Sequence, residues 1–227
     1  MRIVVLGATG MAGTAVVAEA LRRGHEVTAV SRQHRSQTVG RLTSRRLDVI
    51  DVDGVADLLE QCDVAVVALR PPAGREEELA GLTTGVLDAA SRGRTPLLII
   101  GGAAPLSSPS DPGTLAIDDP TIVPPAWKDV AQASLDQFRA CQAHSYEGWV
   151  YLSPPAIFGS GDAAGSYRRG TTTLLVDSQG QSRISPEDLA LAVVDELEHP
   201  GGQQHFTVVA SMPETGRPLG PPEAEAD

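Results

Sequence analysis

Three glycines near the start of the chain, Gly7, Gly10 and Gly13, have the spacing of a phosphate-binding turn. They follow the apolar residues 3–6 and precede a segment that predicts a helix over about residues 11–23. A strand, a glycine-rich turn and a helix in this order direct the unpaired N–H groups of the first helical turn towards an anion. The segment therefore predicts binding of a dinucleotide pyrophosphate, with further contacts from three neighbours in the same turn: Thr9, Met11 and Ala12.

The residues after the second predicted strand indicate which dinucleotide is bound. A site that prefers NAD usually has an aspartate or glutamate there, which binds the ribose 2′-hydroxyl. This chain has Ser31, Arg32 and Arg35 instead. A hydroxyl and two guanidinium groups suit a 2′-phosphate, to which arginine donates paired hydrogen bonds. The sequence predicts NADP in preference to NAD; in the alternative interpretation, these arginines belong to a solvated loop.

Alternating strand and helix patterns predict the elements that position these groups. Short runs of valine, isoleucine and leucine, such as residues 64–67 and 97–100, are typical of buried parallel strands. Strands that alternate with helices indicate right-handed crossovers and a doubly wound parallel sheet of the α/β Rossmann type. We expect one domain over residues 1–210, with a small C-terminal substrate-side portion at 156–210 and a disordered tail at 211–227.

The individual elements follow from hydrophobic periodicity and from turn residues. Predicted strands lie at about 2–6, 26–30, 45–47, 63–68, 97–101, 149–153, 171–176 and 204–209. Predicted helices lie at about 11–23, 52–60, 74–92, 127–144 and 187–199. Ser185 and Pro186 have the residue types of an N-cap and a first helical residue before the last helix.

Composition excludes several classes of function. The net charge of −11 argues against nonspecific nucleic-acid binding, which needs a basic surface. Cys62 and Cys141 are the two cysteines, too few for a disulfide framework or a zinc site, and no metal-ligand cluster is expected. The chain has no apolar run long enough to span a membrane and begins with its first predicted strand, so we expect no leader and a cytoplasmic protein.

The glycine turn, read as Gly-Ala-Thr-Gly at residues 7–10 with Gly13 after it, resembles the first turn of extended and atypical short-chain dehydrogenase/reductases. Residues 149–155 resemble the strand and loop beside the nicotinamide in NmrA-like and biliverdin-reductase-B-like members. Residues 174–177 and 182–190 resemble the C-terminal signature of these proteins. The resemblance extends over roughly residues 1–210.

This resemblance implies further cofactor contacts. Asp48 and Val49 match the pair that contacts adenine, although Asp48 is equally suited to cap the helix that follows. The remaining implied contacts line the ribose, the pyrophosphate and the nicotinamide: Ala68, Leu69, Arg70, Gly101, Gly102, Lys128, Ser153, Pro154 and Pro155.

The residues for proton transfer depart from the usual pattern. Typical short-chain dehydrogenases use Tyr-x-x-x-Lys, in which the tyrosine passes a proton to the substrate oxygen. No tyrosine of this chain stands four residues before Lys128, its single lysine. Lys128, Ser107 and Ser153 are the candidate catalytic residues. In the alternative interpretation, Lys128 is an exposed lysine of the helix and has no catalytic role. Five residues are candidates for contact with substrate: Trp127, Ile157, Phe158, Tyr167 and Arg168.

The sequence favours an NADPH-dependent oxidoreductase that passes hydride to a small conjugated acceptor, such as a quinone, a flavin or an aromatic or polyketide ketone. The alternative is a non-catalytic NADP(H)-sensing regulator of the NmrA type, which the missing Tyr-x-x-x-Lys motivates. An epimerase or dehydratase is a weaker possibility. We expect a small-molecule substrate, no nucleic-acid or membrane partner, and a monomer or homodimer.

Overall fold

A nine-stranded sheet with helices on both faces forms the centre of the computed structural model, which describes residues 1–33, 36–159, 161–177 and 179–211. Its strands, together with two short strands that pair apart from it, are β1 Arg2–Leu6, β2 Glu26–Ser31, β3 Gln37–Val39, β4 Leu42–Arg46, β5 Val64–Val67, β6 Leu97–Ile100, β7 Trp149–Ser153, β8 Ile157–Phe158, β9 Tyr167–Gly170, β10 Arg183–Ile184 and β11 His205–Ala210. The α-helices are α1 Met11–Arg22, α2 Val52–Leu59, α3 Glu78–Gly93, α4 Lys128–Ala143 and α5 Pro186–Glu198.

The strand order is β3-β4-β2-β1-β5-β6-β7-β11-β9. The strands run parallel except β3 and β9, which pair antiparallel with β4 and β11 at the two edges of the sheet. Strand order reverses at β1, so the carboxyl ends of β1 and β5 flank the crevice in which such sheets bind ligands. The predicted α/β Rossmann fold is confirmed.

Side chains alternate between two hydrophobic layers, as strands buried on both faces require. On one face, Val5 and Val66 pack with residues of α1 and α5. On the other face, Leu6 and Val67 pack with residues of α2, α3 and α4. Among the described residues, no helix combines the length and the apolar character that crossing a membrane would need.

One strand prediction is wrong, and three short strands were not predicted. The strand predicted at 171–176 lies instead at β9, Tyr167–Gly170, and within the predicted range only Thr173 forms an isolated bridge, with Ser107. The sequence also did not predict β8, β10 and β3, the last of which has three residues that are all exposed at the sheet edge. The predicted tail at 211–227 lies outside the described residues apart from Ser211.

Candidate dinucleotide-binding site

Two glycines hold the turn after β1 against neighbouring backbone. Gly7 has a φ of +86°, and a Cβ atom there would lie 2.2 Å from the Ala68 carbonyl oxygen beyond β5. A Cβ atom at Gly13 would lie 2.2 Å from the Gly7 carbonyl oxygen. Because both contacts are with backbone, which cannot swing aside as a side chain can, glycine is required at both positions. The turn therefore lies at the point where strand order reverses.

The N-terminus of α1 is open towards this crevice. Gly10 gives the helix no side-chain cap, and its first turn contains no acidic residue. Among the described residues other than its chain neighbours, the nearest atom to a Cβ atom at Gly10 would be the Gly7 carbonyl oxygen, at 3.5 Å. Protein packing therefore does not explain this glycine. The space above it and the uncapped N–H groups fit a phosphate group that approaches the helix axis.

Three other residues of this turn differ in exposure. Thr9 and Met11 are exposed, and Ala12 is half-buried. The Thr14 hydroxyl donates to the Ala8 carbonyl oxygen at 3.1 Å, which fixes the beginning of α1 to the turn. The structure thus brings the predicted pyrophosphate-binding residues together at one surface of the turn.

The corner beside the end of β2 is cationic. Ser31 is buried at the end of β2, Arg32 follows it with an exposed side chain, and residues 31–33 include no carboxylate. Arg46 of β4 pairs in register with Ser31 and is also exposed. Neither Arg32 nor Arg46 forms an ion pair with a described residue. Arg35 lies outside the described residues.

Asp48 is not the cap of α2. Its carboxylate accepts a hydrogen bond from the Ile50 N–H at 3.3 Å, whereas the Asp51 carboxylate accepts from the Gly54 N–H at the start of the helix. The capping interpretation of Asp48 is therefore wrong, because the N-cap of α2 is Asp51, three residues later. Asp48 is exposed and Val49 half-buried, and their contact with adenine stays a prediction.

The turns after β5 and β6 continue the crevice on its other side. Ala68 and Leu69 are half-buried, and Arg70 is exposed. A Cβ atom at Gly101 would lie 1.8 Å from the Tyr151 hydroxyl oxygen, and one at Gly102 would lie 2.7 Å from Ser134 Oγ. The turn after β6 therefore lies directly on these side chains.

The end of β7 is closed inside the protein. Ser153 is fully buried, and its Oγ lies 2.9 Å from Nε2 of His205. Burial lowers the pKa of His205 to about 4, so the imidazole is neutral near pH 7. Pro154 and Pro155 are buried as well. The Ser153 hydroxyl is thus engaged within the fold, and its predicted contact with a ligand remains a prediction.

Comparison with known proteins assigns the family. A family described as NAD(P)H-binding matches residues 7–200, which include the glycine turn, the end of β2 and both glycines after β6. This chain belongs to that NAD(P)H-binding family. The resemblance predicted from the sequence is confirmed at this level.

Proteins that are similar to this chain align with nearly its whole length. Uncharacterized protein YwnB of Bacillus subtilis is 33% identical over 215 residues, which cover 92% of this chain and 99% of that protein. A structure from Bacteroides thetaiotaomicron, described as an epimerase, is 31% identical with a TM-score of 0.83 and covers 93% and 98% of the two chains. A structure from Streptococcus pneumoniae, described as an NADH-flavin reductase, is 27% identical with a TM-score of 0.79 and covers 93% and 100%.

In this NAD(P)H-binding protein, Lys128 joins a long loop to a helix. Its ammonium donates to the Ile117 carbonyl oxygen at 2.6 Å and lies 3.8 Å from an Asp118 carboxylate oxygen. Ile117 and Asp118 lie in the loop 102–126 that connects β6 to α4, and Trp127, 56% exposed, precedes the lysine. The structure thus gives Lys128 a contact within the protein, and its contact with a cofactor remains a prediction.

Ser107 is bound into the same loop by its backbone. Its N–H donates to the Thr172 carbonyl oxygen, and its carbonyl oxygen accepts from the Leu174 N–H. These bonds dock the loop on the segment after β9. The Ser107 side chain is half-buried there, and its role as a proton donor remains a prediction.

The tyrosines are all engaged inside the protein. Each of the three hydroxyl groups donates to an internal acceptor: Tyr146 to the Thr95 carbonyl oxygen, Tyr151 to the Ser134 carbonyl oxygen and Tyr167 to the Asp195 carboxylate. Burial raises the pKa of all three phenols, and the Asp195 carboxylate adds to this effect at Tyr167. No tyrosine is therefore arranged to pass a proton to a bound substrate.

The residues predicted to contact substrate are divided between two arrangements. Tyr167 is directed towards α5 by its bond to Asp195, and the Arg168 guanidinium donates to the Val176 carbonyl oxygen. Ile157 is 61% exposed and Phe158 half-buried, beyond the carboxyl end of β7. The structure thus places Ile157 and Phe158 in β8, which pairs with β10 after the end of β7, and it gives Tyr167 and Arg168 partners within the protein.

Four of the seven large apolar residues that are exposed in the described parts of the chain lie in segments that follow parallel strands. Met11 begins α1, Ile50 and Ile157 stand four residues after β4 and β7, and Trp127 immediately precedes α4.

Asp188 organises the segment before α5, a role that the sequence did not predict. Its side chain is fully buried and accepts from the Ala164 N–H, the Gly165 N–H and the Ser185 hydroxyl. The Ser185 Oγ accepts from the Asp188 N–H in return, which confirms the predicted N-cap. No local pattern indicates the contacts with residues 164–165, because they depend on the fold.

Proposed function

We propose that this protein is an NADPH-dependent reductase whose acceptor is a planar conjugated molecule, such as a quinone or a flavin, that takes its protons from solvent. The observation that carries the proposal is the engagement of all three tyrosine hydroxyl groups with internal acceptors. A reductase without a tyrosine proton donor suits acceptors that need only hydride from the enzyme, because water protonates their oxygen or nitrogen atoms.

The residues of the crevice suit the parts of NADPH. The open N-terminus of α1 would hold the pyrophosphate, and Arg32, with Ser31 beside it, would hold the 2′-phosphate. The turn Gly101–Gly102 would lie under the nicotinamide end, since a dinucleotide extends across the crevice in both directions. When bound, NADPH would supply the hydride, and the residues of these turns would hold and orient it.

Two further observations support this acceptor class. The exposed Trp127 and Ile157 offer apolar surface for a flat ring system beyond the carboxyl ends of the strands. The Streptococcus pneumoniae relative described as an NADH-flavin reductase aligns over 93% of this chain. Likeness to the structure described as an epimerase does not lead us to propose epimerisation, because no tyrosine of this chain is arranged for proton transfer.

The preference for NADPH rests on charge. No carboxylate follows β2 among residues 31–33, and Arg32 has no acidic partner among the described residues. A 2′-phosphate would provide that partner, whereas a 2′-hydroxyl would leave the guanidinium solvated.

The test is a titration of the native protein with NADPH and with NADH, followed by a screen of 1,4-naphthoquinone, riboflavin and an aromatic ketone for loss of nicotinamide absorbance. The variant Arg32→Ala should weaken NADPH binding about tenfold and leave NADH binding unchanged, as expected for one charged hydrogen bond. Arg139→Ala removes an equal charge from the exposed surface of α4 and serves as the control.

Tight NADPH binding with turnover of a planar acceptor would support the reductase. Tight binding without turnover of any acceptor would replace it with an NADP(H)-sensing regulator. Absence of binding to either dinucleotide would refute both functions. Equal affinities for NADH and NADPH would refute the cofactor preference alone.

A further inference from the structure

A tyrosine buried beneath the crevice supports the turn that follows β6. Tyr151 is fully buried, and a Cβ atom at Gly101 would lie 1.8 Å from its hydroxyl oxygen and 2.0 Å from Cζ. The backbone at Gly101 therefore rests on the phenol at a distance that only glycine allows. Gly102 continues this contact on Ser134, where a Cβ atom would lie 2.8 Å from the serine Cβ.

The phenol is itself held by a chain of buried hydrogen bonds. The Tyr151 hydroxyl has two acceptors, the Ser134 carbonyl oxygen at 3.0 Å and Oε1 of Gln137 at 3.1 Å. The Gln137 side-chain amide donates to the Thr83 hydroxyl at 3.1 Å, which donates to the Leu79 carbonyl oxygen at 2.8 Å. Because these groups lie on α3 and α4, both helices fix the height of the phenol above the sheet.

Burial keeps this phenol protonated. It raises the pKa of Tyr151, so the hydroxyl keeps its proton and remains a donor near neutral pH. The turn is thus linked to Tyr151 by the close contact at Gly101.

We propose that Tyr151 is a positioning residue, which supports the Gly101–Gly102 turn and thereby sets where the nicotinamide end of the dinucleotide lies over the carboxyl edge of the sheet. This inference rests on the proposed function. It adds a side chain that does not touch the cofactor and acts through the backbone of the turn.

The chain offers a matched control at the opposite edge of the sheet. A Cβ atom at Gly148, just before β7, would lie 2.2 Å from the hydroxyl oxygen of Tyr146. That hydroxyl donates to the Thr95 carbonyl oxygen at 2.7 Å, before β6 begins. The pair Gly148 and Tyr146 therefore repeats the chemistry of Gly101 and Tyr151 away from the crevice.

The experiment compares Tyr151→Phe with Tyr146→Phe, using two ligands and a rate. Adenosine 2′,5′-bisphosphate reports on the adenine half of the site, and NADPH reports on both halves. We expect Tyr151→Phe to bind the bisphosphate as the native protein does and to transfer hydride from NADPH to 1,4-naphthoquinone about tenfold more slowly in a single turnover, because small displacements of a reacting group carry large rate costs. Tyr146→Phe should match the native protein in both.

A second pair of variants tests the same turn in case Tyr151→Phe changes the rate only slightly. Gly101→Ala should slow hydride transfer by about 100-fold, because a methyl group must displace the turn from the phenol, whereas Gly148→Ala should leave the rate unchanged. Should Gly101→Ala fail to fold, the phenylalanine variant, which keeps the ring, decides the matter.

The outcomes separate the two proposals. Failure of the native protein to bind NADPH would refute the proposed function and this inference together. Native turnover with equal rates in Tyr151→Phe and Tyr146→Phe would refute the inference alone. Loss of bisphosphate binding in Tyr151→Phe in proportion to its loss of NADPH binding would also refute it, because the residue would then act on overall structure.

Discussion

Helices α1 and α5 pack side by side on one face of the sheet and begin at the same edge, but their N-termini are completed in opposite ways. α5 begins with the Ser185 cap, has Glu187 and Asp188 in its first turn, and is closed by protein groups. α1 has no side-chain cap and no acid in its first turn. The fold thus provides anionic groups for one helix and leaves the other for an anion from outside the chain.

The largest effect should come from the turn that keeps α1 open. Gly7→Ala places a methyl group against backbone and in a left-handed conformation, and it should destabilise the protein by more than about 3 kcal/mol. Gly24→Ala, at a φ of +85° with nothing within 4 Å of its Cβ position, should cost only about 1 kcal/mol. Urea unfolding of the two variants measures the difference. Equal losses would mean that conformation, and not the contact with Ala68, requires Gly7.

The second-largest effect should come from a variant in which α1, like α5, has a carboxylate at its N-terminus. Gly10→Asp should leave the free energy of unfolding unchanged or slightly raised, because the space at Gly10 admits a side chain and the helix gains a cap. NADPH affinity should fall by about 100-fold or more, since the carboxylate competes with the phosphate. Calorimetric titration and thermal unfolding on one preparation test both parts. Undiminished NADPH affinity in a folded variant would refute the phosphate site at α1.

A smaller effect should follow from removing charge at α5. Asp188→Asn should cost about 2 kcal/mol of stability, because an amide cannot accept from the two N–H groups and the Ser185 hydroxyl together. Asp129→Asn, at the exposed first turn of α4, should cost less than about 0.5 kcal/mol. Chemical denaturation ranks the two variants. Similar losses would show that Asp188 acts only through the helix dipole.

The smallest effect concerns the cap itself. Ser185→Ala should lower the free energy of unfolding by about 1 kcal/mol, the usual loss for a serine cap. NADPH affinity should stay within about twofold of the native value, because the cap serves the protein and not the ligand. A large loss of affinity in this variant would show that the two helix ends are coupled.

The sequence predicted the parts of the fold that local pattern determines. The runs at residues 64–67 and 97–100 became buried parallel strands, and the glycine turn lies at the reversal of strand order. The strand predicted at 171–176 failed because Leu174, although buried, lies in no strand and donates through its N–H to the Ser107 carbonyl oxygen of a loop. β9 has two arginines among its four residues, and only its pairing with β11 makes it a strand.

In the candidate site, too, the sequence predicted the residues with local patterns and missed those that depend on distant partners. The glycines and Arg32 follow from spacing within a short segment of the chain. Tyr151, His205 and Asp188 gain their roles from partners far away in sequence, such as Ser153 for His205 and residues 164–165 for Asp188. No pattern of nearby residues specifies such pairs, because the fold creates them.

The single lysine of the chain has a practical consequence for labelling. Lys128 is the only side-chain amine, and its ammonium binds the loop between β6 and α4. An amine-directed fluorophore therefore has one side-chain attachment point, besides the α-amino group of Met1, which lies 3.3 Å from Nδ1 of His25. Acylation at Lys128 would remove the positive charge and weaken the bond to Ile117, so one reagent both loosens the loop and reports its movement.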